Sequence, residues 1–313
     1  MFDVTIAGDI NLDLILYGVD RSMPVEREII ANDFQMTLGG SAAIVAHNLA
    51  ALGSSVGFIG KLGTDDFGEI ALQRLREIGV DTHCCVRSTG ATQTGVTVLL
   101  HHGINRHILT YLGTMAEMTA DELNLDYLSN SKHFHISSFF LQKNLQRSLP
   151  DLCKGLRHRG LTVSLDTNDD PDDKWGDEFR AMLSCVDILM PNEEEAKKMA
   201  RKDNVKEAVD WLSEQVPIVV VKCGSRGALL KTPTLFFEVP PLAVSPVDTI
   251  GAGDSFNAGF LSRFAKGQSL EDCVAAGNSA AALSTLRPGG TEAFRDREFM
   301  QTFLTQSLSG EAR

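Results

Sequence analysis

No stretch of 18 consecutive apolar residues occurs in this 313-residue chain, so no membrane-spanning helix is expected. The opening Met1-Phe-Asp-Val-Thr-Ile-Ala-Gly-Asp9 has neither the basic start nor the long apolar stretch of a secretory signal. Positive charge is scarce: 29 Lys and Arg stand against 41 Asp and Glu, a formal net charge of −12. A nucleic-acid backbone must be neutralised by a basic face, so nucleic acid is not an expected partner. The six cysteines include the adjacent pair Cys84-Cys85 and no Cys-x-x-Cys. Such usage suits mostly buried thiols in a reducing cytosol, the expected location. Gly-x-x-x-x-Gly-Lys-Ser/Thr is missing, so any ATP is bound without a Walker-type P-loop. Repeats, low-complexity tracts and linkers are also missing.

What remains is alternation. Apolar runs at 4–7, 56–59, 161–165, 186–190 and 218–222 read as strands separated by helical segments, the pattern of parallel βαβ units. Polar residues just past a strand end occupy the usual ligand edge of such a sheet. After the first strand comes Gly8-Asp-Ile-Asn-Leu-Asp13. Asn11 and Asp13 stand two apart, point the same way in extended chain, and suit a diol. A capping or Asx-turn cluster is the alternative. Gly39 and Gly40 open a helix that stops at Gly53 and let backbone approach a ligand.

Residues 94–100 and 107–111 read as strands joined by the hairpin loop His102-Gly-Ile-Asn-Arg106. With the residues after Asp13 and a strand near 29–36, they are expected to form a small sheet. His101, His102 and His107 lack the spacing of a metal site, and His133 with His135 reads as a structural pair.

The chain is organised around Val247-Asp-Thr-Ile-Gly-Ala-Gly-Asp-Ser-Phe-Asn-Ala-Gly-Phe-Leu261. Gly251, Ala252 and Gly253 are small enough for their N–H groups to close on a ligand at a helix N-terminus, where an anion is favoured. Asp254 either complements the helix dipole or takes a proton from a hydroxyl attacking a phosphoryl group.

The string Asp248 to Phe256 resembles the C-terminal signature of the ribokinase-like (PfkB) sugar and nucleoside kinases. Gly39-Gly40 with its small-residue helix, Asn192-x-x-Glu195 and Gly224-Ser-Arg-Gly227 resemble further motifs of that family, in the same order. The resemblance implies one domain over 1–313, a three-layer α/β/α sandwich on a mostly parallel sheet, with lid segments at about 12–37 and 92–112. It makes Asp254 the catalytic base and Gly251, Ala252 and Gly253 the anion cradle. Asn11, Asp13, Gly39, Gly40, Ser41, Asn168 and the lid residue Arg106 would face the substrate. Asn192, Lys222, Gly224, Ser225, Gly227 and Asn278 would face ATP. Glu195 and Asn192 would order Mg²⁺ largely through water, and Asp248 with Ile250 would mark a K⁺ loop.

Two positions depart from the pattern. Ile44 replaces an Asn that usually touches the sugar, and Asp170 stands where an Arg often follows Asn168. An acidic residue there argues against a carboxylate- or phosphate-bearing substrate. The expected activity is phosphorylation of a hydroxymethyl group on a small neutral sugar. A nucleoside kinase, stacking its base on Phe139, Phe140 or Tyr111, is the alternative, as is a non-catalytic binding protein. An exposed apolar lid face would suit a homodimer.

Overall fold

A computed structural model describes residues 1–102 and 105–309, the side chains of 307–309 excepted. Its strands are β1 Phe2–Ala7, β2 Asn11–Tyr17, β3 Asp33–Gly39, β4 Val56–Ile59, β5 Lys61–Leu62, β6 Val86–Arg87 and β7 Gly95–His102. Then follow β8 Asn105–Tyr111, β9 Ser131–Ser137, β10 Thr162–Asp166, β11 Ile188–Leu189, β12 Ile218–Lys222, β13 Ala228–Lys231 and β14 Phe236–Val239. Eight of them form one sheet in the order β14-β13-β12-β11-β10-β9-β1-β4, parallel from β12 to β4 and antiparallel at β13 and β14.

Period-2 side-chain alternation sorts this sheet into two cores. Val219 and Val221 join one with Phe134, Ile136 and Leu189, whereas Val220 joins the other with Ile188, Val4 and Ile6. The first is covered by helices α3 Leu125–Ser129, α4 Leu149–His158, α5 Asp177–Leu183, α6 Glu193–Ala200 and α7 Val205–Ser213. Over the second lie α1 Ser41–Ala51, α2 Asp66–Glu77, α8 Ala252–Phe264 and α9 Leu270–Ser284. The result is the expected three layers. Phe139 and Phe140 belong to the first core, where Phe140 meets Trp175 edge-on with ring centroids 5.1 Å apart, and are buried from any ligand.

The lid is a four-stranded sheet, β3-β2-β7-β8. Strand β3 starts later than expected for 29–36, at Asp33, and runs on to Gly39. The hairpin strands are also longer than expected, because His101 pairs with Arg106 and His102 with Asn105. The expected loop residues Gly103 and Ile104 lie outside the described residues. Cross-strand register puts Thr37, Asp13, Thr97 and Thr110 in one row, on the same face as Asn11. The opposite face is apolar: Met36, Leu14, Val98 and Leu109 form one row, and Phe34, Leu16 and Leu100 the next. Tyr111 falls on this outer face and is half exposed, so it does not reach the polar row.

His133 and His135 project from β9 into a buried hydrogen-bonded chain. His133 meets Thr162 Oγ1 at 2.7 Å and Ser164 Oγ at 2.6 Å; His135 meets Ser164 Oγ at 2.7 Å and Ser137 Oγ at 2.9 Å. Burial lowers the pair to about 3 and about 4, so both imidazoles stay neutral.

Candidate active site

Polar residues collect at the C-terminal ends of the parallel strands, under the lid. Gly8 and Asp9 follow β1, Ser138 follows β9, Asp166 ends β10, Asn192 stands just past β11 and Lys222 ends β12. A parallel sheet aims these turns at one edge, where α1, α6 and α8 also begin.

The turn between the lid and α1 is built on glycine. Gly39 pairs with Asn11 across the lid ladder, and a Cβ there would stand 2.1 Å from Asp13 Oδ1. Gly40 takes φ 85°, and its Cβ would sit 2.8 Å from the Asp9 carbonyl oxygen. Gly39 admits no side chain while the Asp13 carboxylate stays in place, and Gly40 none while the Asp9 main-chain carbonyl does. Asn11 Nδ2 donates to Thr97 Oγ1 at 2.9 Å and to Asp13 Oδ1 at 3.4 Å, so the predicted pair is joined directly. Asp9, a residue that sequence reasoning passed over, organises the floor. It accepts from Ser41 N at 2.8 Å, Ala42 N at 3.0 Å and Ser138 Oγ at 3.0 Å, fixing the start of α1. Its place just after the Gly that follows β1 was the available signal.

The turn before α8 is the candidate anion cradle. Gly251 is the N-cap at φ 68°, and a Cβ on it would lie 2.5 Å from Gly290 Cα. Ala252, Gly253 and Asp254 form the first turn at the positive end of the helix dipole, where Ala252 N donates to Thr249 O at 3.3 Å. Ile44 Cδ1 lies 3.5 Å from the Cβ position of Gly251, giving this turn an apolar wall.

Asp254 stands where the two halves meet. Ser41 Oγ donates a short hydrogen bond to its Oδ1. Burial raises this carboxyl to about 7, against the Ser41 bond and the Lys222 ammonium; the carboxylates of Asp166 and Asp9 push the same way as burial. Asp13 is likewise raised to about 7, first by burial and then by the charge of Asp254. A carboxylate held near neutrality beside an anion cradle can take a proton from a neutral hydroxyl.

At the ends of β10 to β12, Lys222 Nζ reaches Asp166 Oδ2 at 2.5 Å, and the main-chain N of Lys222 donates to Pro191 O at 2.9 Å. Asn192 and Glu195 form a reciprocal capping box: Asn192 N meets Glu195 Oε2 at 2.8 Å and Glu195 N meets Asn192 Oδ1 at 2.9 Å. Burial and then Asp166 raise Glu195 to about 7, with Lys222 opposing. Gly224 and Ser225 form an exposed turn, and Gly227, at φ 86°, has no room for a Cβ beside Val239 O. Asn278 Nδ2 donates to Val239 O at 3.1 Å and Pro240 O at 2.9 Å, holding the neighbouring turn.

The lid grips the base of the anion turn. Tyr17 OH donates to Asp248 Oδ2 at 3.1 Å, and Arg106 Nη1 donates to Thr249 Oγ1 at 3.0 Å. Asp248 also accepts from Ile250 N at 3.0 Å and Gly289 N at 3.0 Å. Ile250 packs between the lid residues Ile15 and Leu99. Two expectations change here. Asn168, at φ 55°, turns its Oδ1 to Ser138 N at 3.1 Å and braces the β9 end. Asp170 does not face a ligand: it accepts from the main-chain N of Asp172 at 3.0 Å, Lys174 at 2.8 Å and Trp175 at 2.8 Å. An Asp that closes its own loop carries no information about substrate charge.

A sequence profile described as "pfkB family carbohydrate kinase" matches residues 1–297. The ATP-dependent ribose-1-phosphate kinase of Halopiger xanaduensis is 32% identical over 299 residues, covering 94% of this chain and 95% of that one. Arabidopsis thaliana ribokinase, solved with ribose and ATP, superposes with a TM-score of 0.81 at 25% identity, covering 96% and 98% of the two chains. An E. coli protein solved with ATP and Mg²⁺ superposes with a TM-score of 0.86 at 23% identity, covering 98% and 100%. The chain belongs to the pfkB family of carbohydrate kinases, enzymes that transfer a phosphoryl group to a sugar.

Proposed function

We propose that this kinase uses ATP to phosphorylate the hydroxymethyl group of a small neutral sugar. The observation that carries the reading is the placement of Asp254 between the Asn11–Asp13 pair and the Gly251–Gly253 turn, raised to about 7 and held by Ser41. In this mechanism Asp254 takes the hydroxymethyl proton as the oxygen attacks. The N–H groups of Gly251, Ala252 and Gly253 stabilise charge developing on the phosphoryl group. Asn11 and Asp13 hold the ring hydroxyls, with Gly39, Gly40 and Ser41 shaping the floor.

Neutrality of the sugar follows from the lining. Asp9, Asp13, Asn11, Thr97 and Thr110 face the sugar side, and the two cations expected in the site are engaged by Thr249 (Arg106) and Asp166 (Lys222). An anionic sugar would meet these carboxylates with the Lys222 charge already paired to Asp166, leaving of the two only Arg106 to offset them.

The donor set at Asn192 and Glu195 is all oxygen, and the buried Glu195 carboxylate is under-compensated, which suits Mg²⁺ bound mostly through its own water. Bound there, the ion would neutralise phosphate charge. The buried Asp248 carboxylate with the 248–250 loop likewise suits K⁺. Lys222, Gly224, Ser225, Gly227 and Asn278 line the ATP side. One domain spanning 1–313 carries both halves, with the lid inserted as segments 12–37 and 92–112. The lid's outer apolar face, where Phe34 is 52% and Leu109 54% exposed, is proposed to pair with a second copy. The described helices include none long and apolar enough to cross a membrane, in keeping with a cytoplasmic enzyme.

The test is Mg²⁺-dependent ADP release across neutral sugars, nucleosides and phosphosugars, ribose 1-phosphate among them. Turnover confined to a neutral sugar supports the reading; turnover confined to a phosphosugar or a nucleoside overturns the substrate class.

A further inference from the structure

Behind the anion turn lies an acid–amide–ammonium hub, of which the reading above uses only Lys222. Asp166 Oδ2, in a residue only 2% exposed, receives both Lys222 Nζ at 2.5 Å and Asn257 Nδ2 at 2.5 Å. Asn257 is fully buried and stands four residues after Gly253, hence on the same face of α8. A Cβ at Gly253 would lie 3.5 Å from Lys222 Nζ, so the ammonium sits against the cradle itself. Asn257 Oδ1 and the hydroxyl of adjacent Thr167 are buried with no hydrogen-bond partner among the described residues. A hub made only to hold the fold would satisfy these atoms or be apolar, because buried ion pairs add little stability over packed hydrophobic residues.

We propose that Asp166 is a positioning residue for phosphoryl transfer, one carboxylate oxygen holding the Lys222 ammonium and the Asn257 amide against the anion cradle. It acts through these two groups without touching either substrate. Its charge has a second effect. Asp254 is faced by the carboxylates of Asp166, Asp9 and Asp13 and by the Lys222 ammonium, so Asp166 helps to keep the base from ionising too readily. The proposal rests on the kinase reading above.

The test is Asp166→Asn, read by kcat, by the acid limb of kcat/KM against pH, and by calorimetric affinity for a non-hydrolysable ATP analogue with Mg²⁺. The expected kcat loss is about 100-fold, because the ammonium is no longer fixed beside the transferring group. The acid limb should move down by about one pH unit, one carboxylate fewer opposing Asp254. Analogue affinity should stay within about threefold of wild type or tighten, since the phosphates meet less negative charge. Asn257→Ala keeps that charge and should lower kcat by about tenfold with the acid limb unmoved. Lys222→Met should weaken analogue binding by about tenfold or more.

An Asp166→Asn enzyme retaining more than half its turnover overturns the proposal. So does a kcat loss with an unmoved acid limb, or one that appears chiefly as weaker analogue binding. Thermal melts separate these results from misfolding; should Asp166→Asn not fold, the Asn257→Ala and Lys222→Met pair decides, and wild-type behaviour in both refutes. If wild-type enzyme transfers no phosphoryl group to any sugar, the kinase reading fails. The calorimetric comparison still reads on the hub, and equal analogue affinity in wild type and Lys222→Met then sinks the proposal.

Discussion

Asp254→Asn should make the protein slower and, above neutral pH, more stable. The carboxyl rises from 3.8 to about 7 on folding, chiefly by burial. Between those values the folded chain keeps a proton that the unfolded chain has lost, so stability falls as pH rises through this window. At about 1.4 kcal/mol per pH unit, the full penalty above pH 7 is bounded by ~4 kcal/mol. Solvent reaching the half-buried side chain and the loss of the Ser41 bond reduce the net gain of the amide to about 1–2 kcal/mol. For a chain of this size that raises Tm by roughly 1.5–3 °C at pH 8.5, with the difference vanishing near pH 4. The same substitution removes the general base and should cut turnover by about 10²–10⁴. Melting curves for both proteins across pH 4–9, with ADP release measured alongside, check the two effects together. An amide variant whose stability gain over wild type is no larger at pH 8.5 than at pH 4.5, or one keeping a tenth of wild-type turnover, would refute this assignment.

Asp13→Asn should lower kcat/KM for the sugar by about 10–100-fold while leaving ATP-analogue affinity unchanged, as separate calorimetric titrations would report. Gly39→Ala drives a methyl group into Asp13 Oδ1, 2.1 Å from its Cβ position, and should cost about 1–3 kcal/mol in denaturant melts as well as sugar affinity. Leu109→Lys places charge in the exposed apolar row of the lid and should convert a dimer to monomers in sedimentation velocity, whereas a wild-type protein already monomeric at micromolar concentration rules out that interface. Exchange of Na⁺ for K⁺ should raise turnover if the Asp248 loop holds a monovalent cation, and equal rates in both salts count against it.

The layered fold was legible because parallel strands write themselves as short apolar runs, and 218–222 and 56–59 match β12 and β4 residue for residue. Boundaries in the lid were less legible: residues 29–32 look β-rich in isolation, yet pairing begins only where Asp33 meets Tyr17. Asn11 and Asp13 were readable from strand alternation, and Gly251 to Asp254 from small residues ahead of an amphipathic run. Asp9 was not, and Asp166 was legible only as the start of Asp-x-Asn168, because their importance lies in partners far along the chain: Asp166 with Lys222 and Asn257, Asp9 with Ser41 and Ser138. Asp170 misled for the opposite reason. Its carboxylate is spent locally on three main-chain N–H groups, a use that composition cannot distinguish from a ligand contact. The Asn192-x-x-Glu195 spacing had two meanings at once, since the capping box and an ion-ordering pair demand the same residues.

The measurement that bears most directly on the site is ³¹P and ¹H NMR of the product formed from ATP, Mg²⁺ and each neutral sugar in turn. The geometry at Asp254 predicts one sugar converted, its phosphorus coupled to the protons of a CH₂–O group. Phosphate on a ring hydroxyl, or transfer only to a sugar that already carries a charge, would contradict it.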